Sequence, residues 1–201
     1  MESIGLILLA AGASTRLGQP KQLLQYKGHT LIKHAIDTAL HVIPTPVIVV
    51  LGENAHLLQN EVSSSKVHVI INHNWKEGMA SSIFCGLHSL LKVSPDINNV
   101  ILMVCDQPFV SASLIKDLIA EHEHTKKGII ASAYKDTLGT PVLFNKKYFN
   151  QLLDLNGAEG AKILISKYPE DVLAVSFPLG FIDIDTVEDY EQLINNYFKM
   201  L

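Results

Sequence analysis

Short apolar runs alternate with stretches of helical periodicity over the first two-thirds of the chain, and this alternation constrains the fold more than any other feature. The runs that predict strands are 4–9, 46–51, 67–71, 99–105 and 128–133. The stretches that predict helices are 30–42, 54–62, 79–91 and 111–124. Such alternation is typical of βαβ crossovers, so it predicts an α/β fold with a mostly parallel sheet and helices on both faces. Sheets of this class bind ligands at the carboxyl ends of their strands.

The pattern becomes less regular beyond residue 133. We expect a strand at 141–144, helices at 146–153 and 159–168, short strands at 172–176 and 181–184, and a closing helix at 186–198. No linker rich in proline, glycine or serine divides the 201 residues, and no internal repeat is visible. The sequence therefore predicts one domain over residues 1–201, with an irregular insertion near the ligand-binding edge.

The composition argues against several classes of protein. Hydrophobic residues make up 48% of the chain and charged residues 18%, which is typical of a globular protein rather than a disordered one. The formal net charge of −4 argues against broad nucleic-acid binding. No apolar run reaches the roughly 18 residues that span a bilayer, and the start lacks the basic region of a signal peptide. We therefore expect a cytoplasmic protein that binds neither nucleic acid nor membrane.

The cysteines and histidines give no sign of a zinc centre or of a nucleophilic triad. Cys85 and Cys105 each lie in an apolar segment, and two cysteines are too few for a disulfide framework or a zinc site. The nine histidines are scattered, and no His-x-x-x-His pair occurs. Hydrolase and zinc-enzyme functions are therefore disfavoured.

The loop after the first predicted strand contains small residues followed by two cations. Residues 9–21 read LAAGASTRLGQPK, so small side chains precede Arg16 and Lys21. Small residues allow close approach to the backbone, and consecutive N–H groups in such a loop can bind an anion. The glycine spacing matches neither a Walker A motif nor a dinucleotide fingerprint. The loop predicts a phosphate site, and an ordinary turn with two solvated cations is the alternative.

Carboxylates at the same predicted edge are candidates for a metal site. Asp106 directly follows the fourth predicted strand, where a carboxylate is well placed to hold a hard cation such as Mg²⁺. A turn or N-cap residue before the next helix is the alternative for Asp106. Asp183 and Asp185 would share one face of the last short strand, and Asp185 would complete the metal site if the strand ends converge. An N-cap role is the alternative for Asp185 and is compatible with a place in the metal site, while Thr186 is better interpreted as the start of a capping box.

The segment 78–82, GMASS, is a small-residue helix entrance that follows the third predicted strand. Its backbone groups and two hydroxyls are suited to contact the edge of a flat base. A plain helix N-terminus, capped by Ser81 or Ser82, is the alternative.

Five motifs in the same order resemble the MobA-like NTP transferase family, and specifically its molybdenum cofactor cytidylyltransferase-like branch. They are residues 9–24 (LAAGASTRLGQPKQLL), 78–83 (GMASSI), 105–108 (CDQP), 139–144 (GTPVLF) and 183–189 (DIDTVED). The resemblance runs from residue 4 to about residue 190. It implies a three-layer, Rossmann-like nucleotidyltransferase fold, which is the fold of nucleotide-diphospho-sugar transferases.

The resemblance also implies a role for each matched residue. Arg16 and Lys21 would bind the triphosphate and act with Asp106 in catalysis, while Asp106 and Asp185 would hold Mg²⁺. The residues that would bind the nucleotide are Leu9, Ala10, Ala11, Gly12, Ala13, Ser14, Arg16, Lys21, Gly78, Met79, Ser81 and Ser82. Ala11 stands where the guanylyl-transferring branch usually has glycine, so the resemblance favours CTP or ATP over GTP.

The implied reaction moves CMP from CTP to the phosphate of a molybdopterin-type cofactor and releases pyrophosphate, during molybdenum cofactor maturation. A molybdenum hydroxylase would be the partner that receives the cofactor. Departures from the family pattern at Thr140, Ala158 and Lys162 lie in segments expected near this phosphorylated pterin acceptor. They leave a sugar- or alditol-phosphate nucleotidyltransferase open as an alternative. A non-catalytic chaperone for hydroxylase assembly is a further alternative, although the presence of Arg16, Lys21, Asp106 and Asp185 argues against a loss of catalysis.

Overall fold

The computed structural model describes residues 2–43, 46–63 and 66–199. The strands are β1 Ile4–Ala10, β2 Gln25–Tyr26, β3 His29–Thr30, β4 Val47–Leu51, β5 His68–Ile71, β6 Asn99–Val104, β7 Ile129–Tyr134, β8 Thr137–Asn145 and β9 Val172–Ser176. The strands expected in the first two-thirds of the chain are present as β1, β4, β5, β6 and β7, and those expected at 141–144 and 172–176 lie in β8 and β9. These predictions are confirmed.

Seven of these strands form one sheet in the order β5-β4-β1-β6-β8-β7-β9. β1 pairs in parallel with β4 and β6, β4 with β5, and β7 with β9. Within the described sheet, only β8 runs antiparallel, between β6 and β7. The prediction of a mostly parallel sheet is therefore confirmed, and the carboxyl ends of β1, β4, β5 and β6 lie at one edge.

The helices are α1 Leu31–Val42, α2 Ala55–Val62, α3 Met79–Val93, α4 Ala112–Thr125, α5 Phe149–Leu153, α6 Lys162–Lys167 and α7 Val187–Lys199. Apolar side chains of α1, α2 and α4 pack on one face of the sheet with Leu6 and Leu8 of β1. Those of α3, α5 and α6 pack on the other face with Ile7 and Leu9. This division follows from the two-residue period of the strand, which sends alternate side chains to opposite faces. None of the described helices is long and apolar enough to cross a membrane.

The segment 177–186 corrects one prediction, because the strand expected at 181–184 does not form. These residues make a turn and an irregular loop, and the Ile184 N–H donates to the carbonyl oxygen of Asp106 at 3.0 Å. The Ile184 side chain is fully buried and packs with apolar residues of the loop after β1 and of α7. The apolar residue at position 184 is therefore explained by packing against these apolar neighbours and not by a place in the sheet.

Helix α7 begins with the capping box that the sequence predicts at Thr186. The Asp189 N–H donates to Thr186 Oγ1 at 3.2 Å, and the Thr186 N–H donates to Asp189 Oδ2 at 2.8 Å. This reciprocal pair fixes the direction in which the chain leaves Asp185, the residue immediately before it. Helix α6 also differs from its prediction, since it begins at Lys162 and not at 159.

Candidate active site

The loop after β1 is held by two polar side chains. Ser14, whose φ is +57°, accepts a hydrogen bond through Oγ from the Lys21 N–H at 3.0 Å. Gln22 is 1% exposed, and its Nε2 donates to the carbonyl oxygens of Ala10 and Gly12, both at 3.0 Å. These bonds fix the loop backbone and satisfy polar groups that would otherwise lack partners on folding. The residue type and position of Gln22 did not predict this role from the sequence.

Four charged side chains meet where β1 and β6 end. Lys21 Nζ lies 2.5 Å from Asp106 Oδ2 and 2.8 Å from Asp185 Oδ1. Arg16 Nη2 lies 2.9 Å from Asp185 Oδ2. The Lys21 side chain is 13% exposed and that of Arg16 is 67% exposed, so the cluster has a buried end and a solvent-facing end. The structure thus brings together the four charged residues that the sequence assigned to the site.

The partners of each charged group set its pKa. Burial alone would lower the pKa of Lys21, but the charge of Asp106 and the hydrogen bonds to both carboxylates hold it well above its ordinary value. Burial would likewise raise the pKa of Asp185, but Lys21 and Arg16 outweigh it and hold that pKa below its ordinary value. Lys21 is therefore protonated and Asp185 ionised at neutral pH.

Asp183 lies beside this cluster, and its pKa is shifted in the opposite direction from that of Asp185. Desolvation of its carboxyl group and the nearby charges of Asp106 and Asp185 raise the pKa of Asp183 to about 6, although much of the side chain remains exposed. The loop that replaces the expected strand thus places Asp183 and Asp185 near Asp106, and Asp183 retains its proton more readily than Asp185 does.

Asp183→Asn is expected to stabilise the protein near neutral pH. Because the native pKa of about 6 exceeds the ordinary value of 3.8, the folded chain binds this proton more tightly than the unfolded chain, and stability falls as the pH rises through that window. Asparagine does not ionise, so the variant avoids this loss of stability. Its gain in the free energy of unfolding should stay below about 1 kcal/mol because exposed charges are screened. Thermal unfolding at about pH 4 and about pH 8 measures it, with the gain confined to the higher pH. An equal gain at both pH values, or the same gain in the exposed control Asp136→Asn, would contradict the explanation.

A cavity of about 320 Å³ opens beside the charged cluster, between the loop after β1, the end of β6 and the start of α3. Its lining includes most of the residues that the sequence assigned to the nucleotide or the metal, namely Leu9, Ala10, Ala11, Gly12, Ala13, Lys21, Gly78, Met79, Ser82 and Asp106. Residues without an assigned role complete the lining, and these are Gln22, Trp75, Val104 and Cys105. The cavity therefore combines the backbone and small side chains of the loop with an aromatic ring, the Lys21 ammonium group and the Asp106 carboxylate.

The remaining assigned residues lie around this cavity and do not line it. Ser14 supports the loop through the Lys21 N–H, while Arg16 and Asp185 form the solvent-facing end of the charged cluster. Ser81 lines a larger neighbouring groove of about 820 Å³. Contacts of these side chains with a nucleotide stay predictions.

The start of α3 is ordered by Asn72, a buried residue directly after β5. Its Nδ2 donates to Ser81 Oγ at 2.8 Å and to Ser82 Oγ at 3.0 Å, and its Oδ1 accepts from the Asn74 N–H at 2.9 Å. The N-cap of α3 is Gly78, so neither serine caps the helix as the alternative interpretation required. The two hydroxyls are instead held by the amide of Asn72.

A second cavity, of about 230 Å³, adjoins the first and shares Leu9, Met79 and Val104 with it. The rest of its lining is mostly apolar and comprises Ile83, Leu102, Tyr134, Gly139, Thr140, Val142, Ala158, Gly160, Ala161, Lys162 and Ile165. The three positions at which the sequence departs from the family pattern are all in this lining. The departures therefore concern one cavity and leave the charged cluster unchanged.

Gln107 links this second cavity to the charged cluster. Its Oε1 accepts a hydrogen bond from Thr140 Oγ1 at 3.0 Å, and its Nε2 donates to the Gly180 carbonyl oxygen at 2.8 Å. Gln107 is buried and directly follows Asp106. A substitution at Thr140 would therefore remove a hydrogen bond to Gln107, the residue next to the Asp106 carboxylate.

Asp106 and Asp185 suit a hard divalent cation. Both carboxylates lie within 2.8 Å of one ammonium nitrogen, so their oxygens converge. Within residues 2–43, 46–63 and 66–199, no three His, Cys, Asp or Glu side chains are arranged to hold a metal ion. Mg²⁺ is commonly bound through only one or two carboxylates, with water and substrate phosphates as its other ligands. The two residues therefore fit such an ion.

Comparison with known proteins identifies the family. The model of the MobA-like NTP transferase domain matches residues 6–172. The chain belongs to this family. The match contains the loop after β1, the start of α3, Asp106 and the lining of both cavities, and it confirms the family that the five motifs indicated.

Proteins that are similar along their whole length differ in their names. The nicotine blue oxidoreductase of Paenarthrobacter nicotinovorans is 30% identical over 201 positions, covering 94% of this chain and 95% of its own. The structure of Rv0371c from Mycobacterium tuberculosis H37Rv has a TM-score of 0.84 at 30% identity, covering 96% of this chain and 98% of its own, and a further structure of that protein is a complex with manganese. A nucleotidyl transferase from Methanothermobacter thermautotroptrophicus has a TM-score of 0.81 over both whole chains at 21% identity, which shows a shared fold.

Proposed function

We propose that this protein transfers a nucleotidyl group from a nucleoside triphosphate to a phosphorylated acceptor and releases pyrophosphate. The observation that carries the proposal is the cluster of Arg16, Lys21, Asp106 and Asp185 beside two adjoining cavities. The cavity next to the loop would take the triphosphate and its base, and the second cavity would take the acceptor. Because the two cavities share three lining residues, their ligands would be neighbours.

The residues around the cavities suit transfer between two phosphates. A phosphate oxygen of the acceptor would attack the α-phosphorus, the bond from that phosphorus to the bridging oxygen would break, and pyrophosphate would leave. An ionised phosphate needs no general base, and no histidine is among the described residues that line either cavity. Lys21, Arg16 and the N–H groups of the loop would hold the β- and γ-phosphates, so catalysis would rest on positioning and on electrostatic stabilisation.

Asp106 and Asp185 would hold Mg²⁺ in this reaction. Their convergence supports this role, and so does the manganese complex of Rv0371c. When bound, such an ion supplies Lewis-acid stabilisation of the charge on the transferred phosphoryl group.

We assign CMP as the transferred group, CTP as its donor and the phosphate of a molybdopterin-type cofactor as the acceptor. Ala11 in the first motif and membership of the MobA-like family support this assignment. A flat pterin suits the mostly apolar second cavity, in which Lys162 is available to an anionic group. A molybdenum hydroxylase in the cytoplasm would then receive the cofactor.

Pyrophosphate release tests this function. The purified protein is incubated with Mg²⁺, each of CTP, ATP and GTP, and either molybdopterin or a panel of sugar and alditol phosphates. We expect release with CTP and molybdopterin. If pyrophosphate is released only with a sugar or alditol phosphate, that compound and not molybdopterin is the acceptor. Thermal stabilisation by a nucleotide without any turnover would indicate a chaperone.

Reduction of an organic acceptor is a second candidate function, which the name of the Paenarthrobacter nicotinovorans relative favours. The loop after β1 lacks the Gly-x-Gly-x-x-Gly spacing with which Rossmann folds bind a nicotinamide dinucleotide. Oxidation of NADH or NADPH in the presence of nicotine blue, followed by absorbance, tests this function. Turnover that persists in Asp106→Asn would show reduction to be independent of the charged cluster.

Gln22→Leu is expected to raise the KM for the triphosphate about tenfold while changing kcat less, because a lost loop anchor costs roughly 1–3 kcal/mol. The substitution removes the donor that holds the Ala10 and Gly12 carbonyl oxygens, so the loop loses its fixed conformation. A steady-state titration of the triphosphate measures the KM. The exposed Gln59→Leu is the matched control, and an unchanged KM in Gln22→Leu would contradict this role.

A further inference from the structure

The contacts of Lys21 are not those of a lysine that only binds phosphate. Its Nζ lies between two carboxylates, 2.5 Å from Asp106 Oδ2 and 2.8 Å from Asp185 Oδ1. These are also the two residues whose oxygens would hold a divalent cation. The ammonium group and such a cation would therefore compete for the same oxygens.

We propose that Lys21 exchanges between two sets of partners, the carboxylates of Asp106 and Asp185 on one side and the phosphates of the nucleotide on the other. The identity of the ligands rests on the proposed nucleotidyl transfer. Lys21 then couples the two binding events: a triphosphate draws the ammonium away from the carboxylates, and the carboxylates become available to the metal.

The local structure permits this exchange without movement of the loop. The Lys21 N–H is anchored to Ser14 Oγ at 3.0 Å, so the backbone stays in place. The side chain is a flexible four-carbon stem with a compact charge at its end. Lys21 already lines the 320 Å³ cavity beside the loop, so rotation about the stem is sufficient to bring Nζ towards a ligand there.

The charges of the cluster explain why the two binding events would depend on each other. Arg16 and Lys21 balance Asp106 and Asp185, so these four paired groups are close to neutral together, and Asp183 beside them adds at most one negative charge. A divalent cation added beside Lys21 would meet an uncompensated like charge. The negative charges of a triphosphate remove that excess. By linkage, the metal must favour the triphosphate by the same factor by which the triphosphate favours the metal.

Binding of Mn²⁺ to the full chain, measured by electron paramagnetic resonance of the free ion, tests the competition without turnover. Lys21→Met should bind Mn²⁺ alone about tenfold more tightly than the unsubstituted protein, since a charged hydrogen-bonding competitor worth at least 1.4 kcal/mol is removed. Lys21→Arg keeps the charge and should show no such gain. Lys33→Met is the surface control, because Lys33 pairs only with Asp37 on α1 among the described ion pairs.

Binding of a non-hydrolysable CTP analogue in the presence of EDTA is the second measurement. Lys21→Met should bind the analogue about tenfold more weakly, because a phosphate ligand is lost. Affinities that move in opposite directions in one variant are the signature of exchange, whereas a merely structural role would weaken both. Unchanged or weaker Mn²⁺ binding in folded Lys21→Met would overturn the proposal.

A measurement on the unsubstituted protein keeps the test independent of how the variant folds. Water-proton relaxation should show that the analogue increases the affinity of the protein for Mn²⁺ about tenfold beyond the binding of Mn²⁺ to the analogue itself. No increase would overturn the proposal. Failure of nucleotidyl transfer is a separate result, because it is measured as absent pyrophosphate with every acceptor and leaves these binding data unaffected.

Discussion

Asp106→Asn is expected to lower the rate of pyrophosphate release by about a hundredfold to a thousandfold, the loss typical of removing one preorganised electrostatic contact from a transition state. Asparagine has nearly the shape of aspartate, so the end of β6 and the hydrogen bond from the Ile184 N–H to the Asp106 backbone should persist. The substitution removes one of the two carboxylates that would hold the metal. Initial rates with saturating CTP and acceptor, at several Mg²⁺ concentrations, measure the effect.

The control for this variant is Asp117→Asn, on the exposed side of α4. It removes one negative charge from the protein but lies outside the lining of both cavities. A rate in Asp106→Asn that matches this control, with equal thermal unfolding, would exclude Asp106 from catalysis. Partial recovery at high Mg²⁺ is the expected pattern if the remaining carboxylate, Asp185, still binds the ion.

The sheet and its helices were predictable because their side-chain periodicity is strong. In β1, consecutive apolar residues face two buried layers, and a strand buried on both faces reads as a continuous apolar run. Helix α1 shows the complementary case, with Leu31, Ile32, Ala35, Ile36 and Ala39 buried at helical spacing. Since parallel strands place their carboxyl ends at one edge, the approach of Asp106 to the loop after β1 followed from the order of the elements.

The parts that were not predictable depend on contacts between segments distant in the chain. The short hairpin of β2 and β3 has only two residues in each strand, too few for any period to be visible. Around Ile184, alternating apolar and acidic residues predicted a strand, but the segment gives its N–H to Asp106 instead of to a neighbouring strand. Gln22 and Asn72 are buried polar residues whose partners are loop carbonyls and hydroxyls, and no spacing in the sequence marks them.

Gly78→Ala is expected to weaken the binding of both the triphosphate and the acceptor. It should also destabilise the fold by about 1–3 kcal/mol, the range for a strained backbone position. Gly78 has a φ of +105°, and a Cβ atom there would overlap the carbonyl of Gly157 and lie 2.8 Å from the Ala158 nitrogen. The segment around Gly157 must therefore move, and the bond from the Ala80 N–H to the Gly157 oxygen would be lost. Thermal unfolding and the KM values for triphosphate and acceptor measure the two consequences.

Gly28→Ala separates backbone strain from steric overlap in this test. Gly28 also has a positive φ, +83°, but nothing lies within 4 Å of a Cβ atom built on it, and it lies outside the lining of both cavities. The free energy of unfolding of Gly28→Ala should fall only by the cost of placing an alanine in a left-handed conformation, about 1–2 kcal/mol. Both KM values should stay unchanged. In Gly78→Ala both KM values should rise, because Met79 follows directly and lines both cavities. A rise in only one KM would mean that the start of α3 serves one ligand, and the shared wall between the two cavities would then have no role in bringing donor and acceptor together.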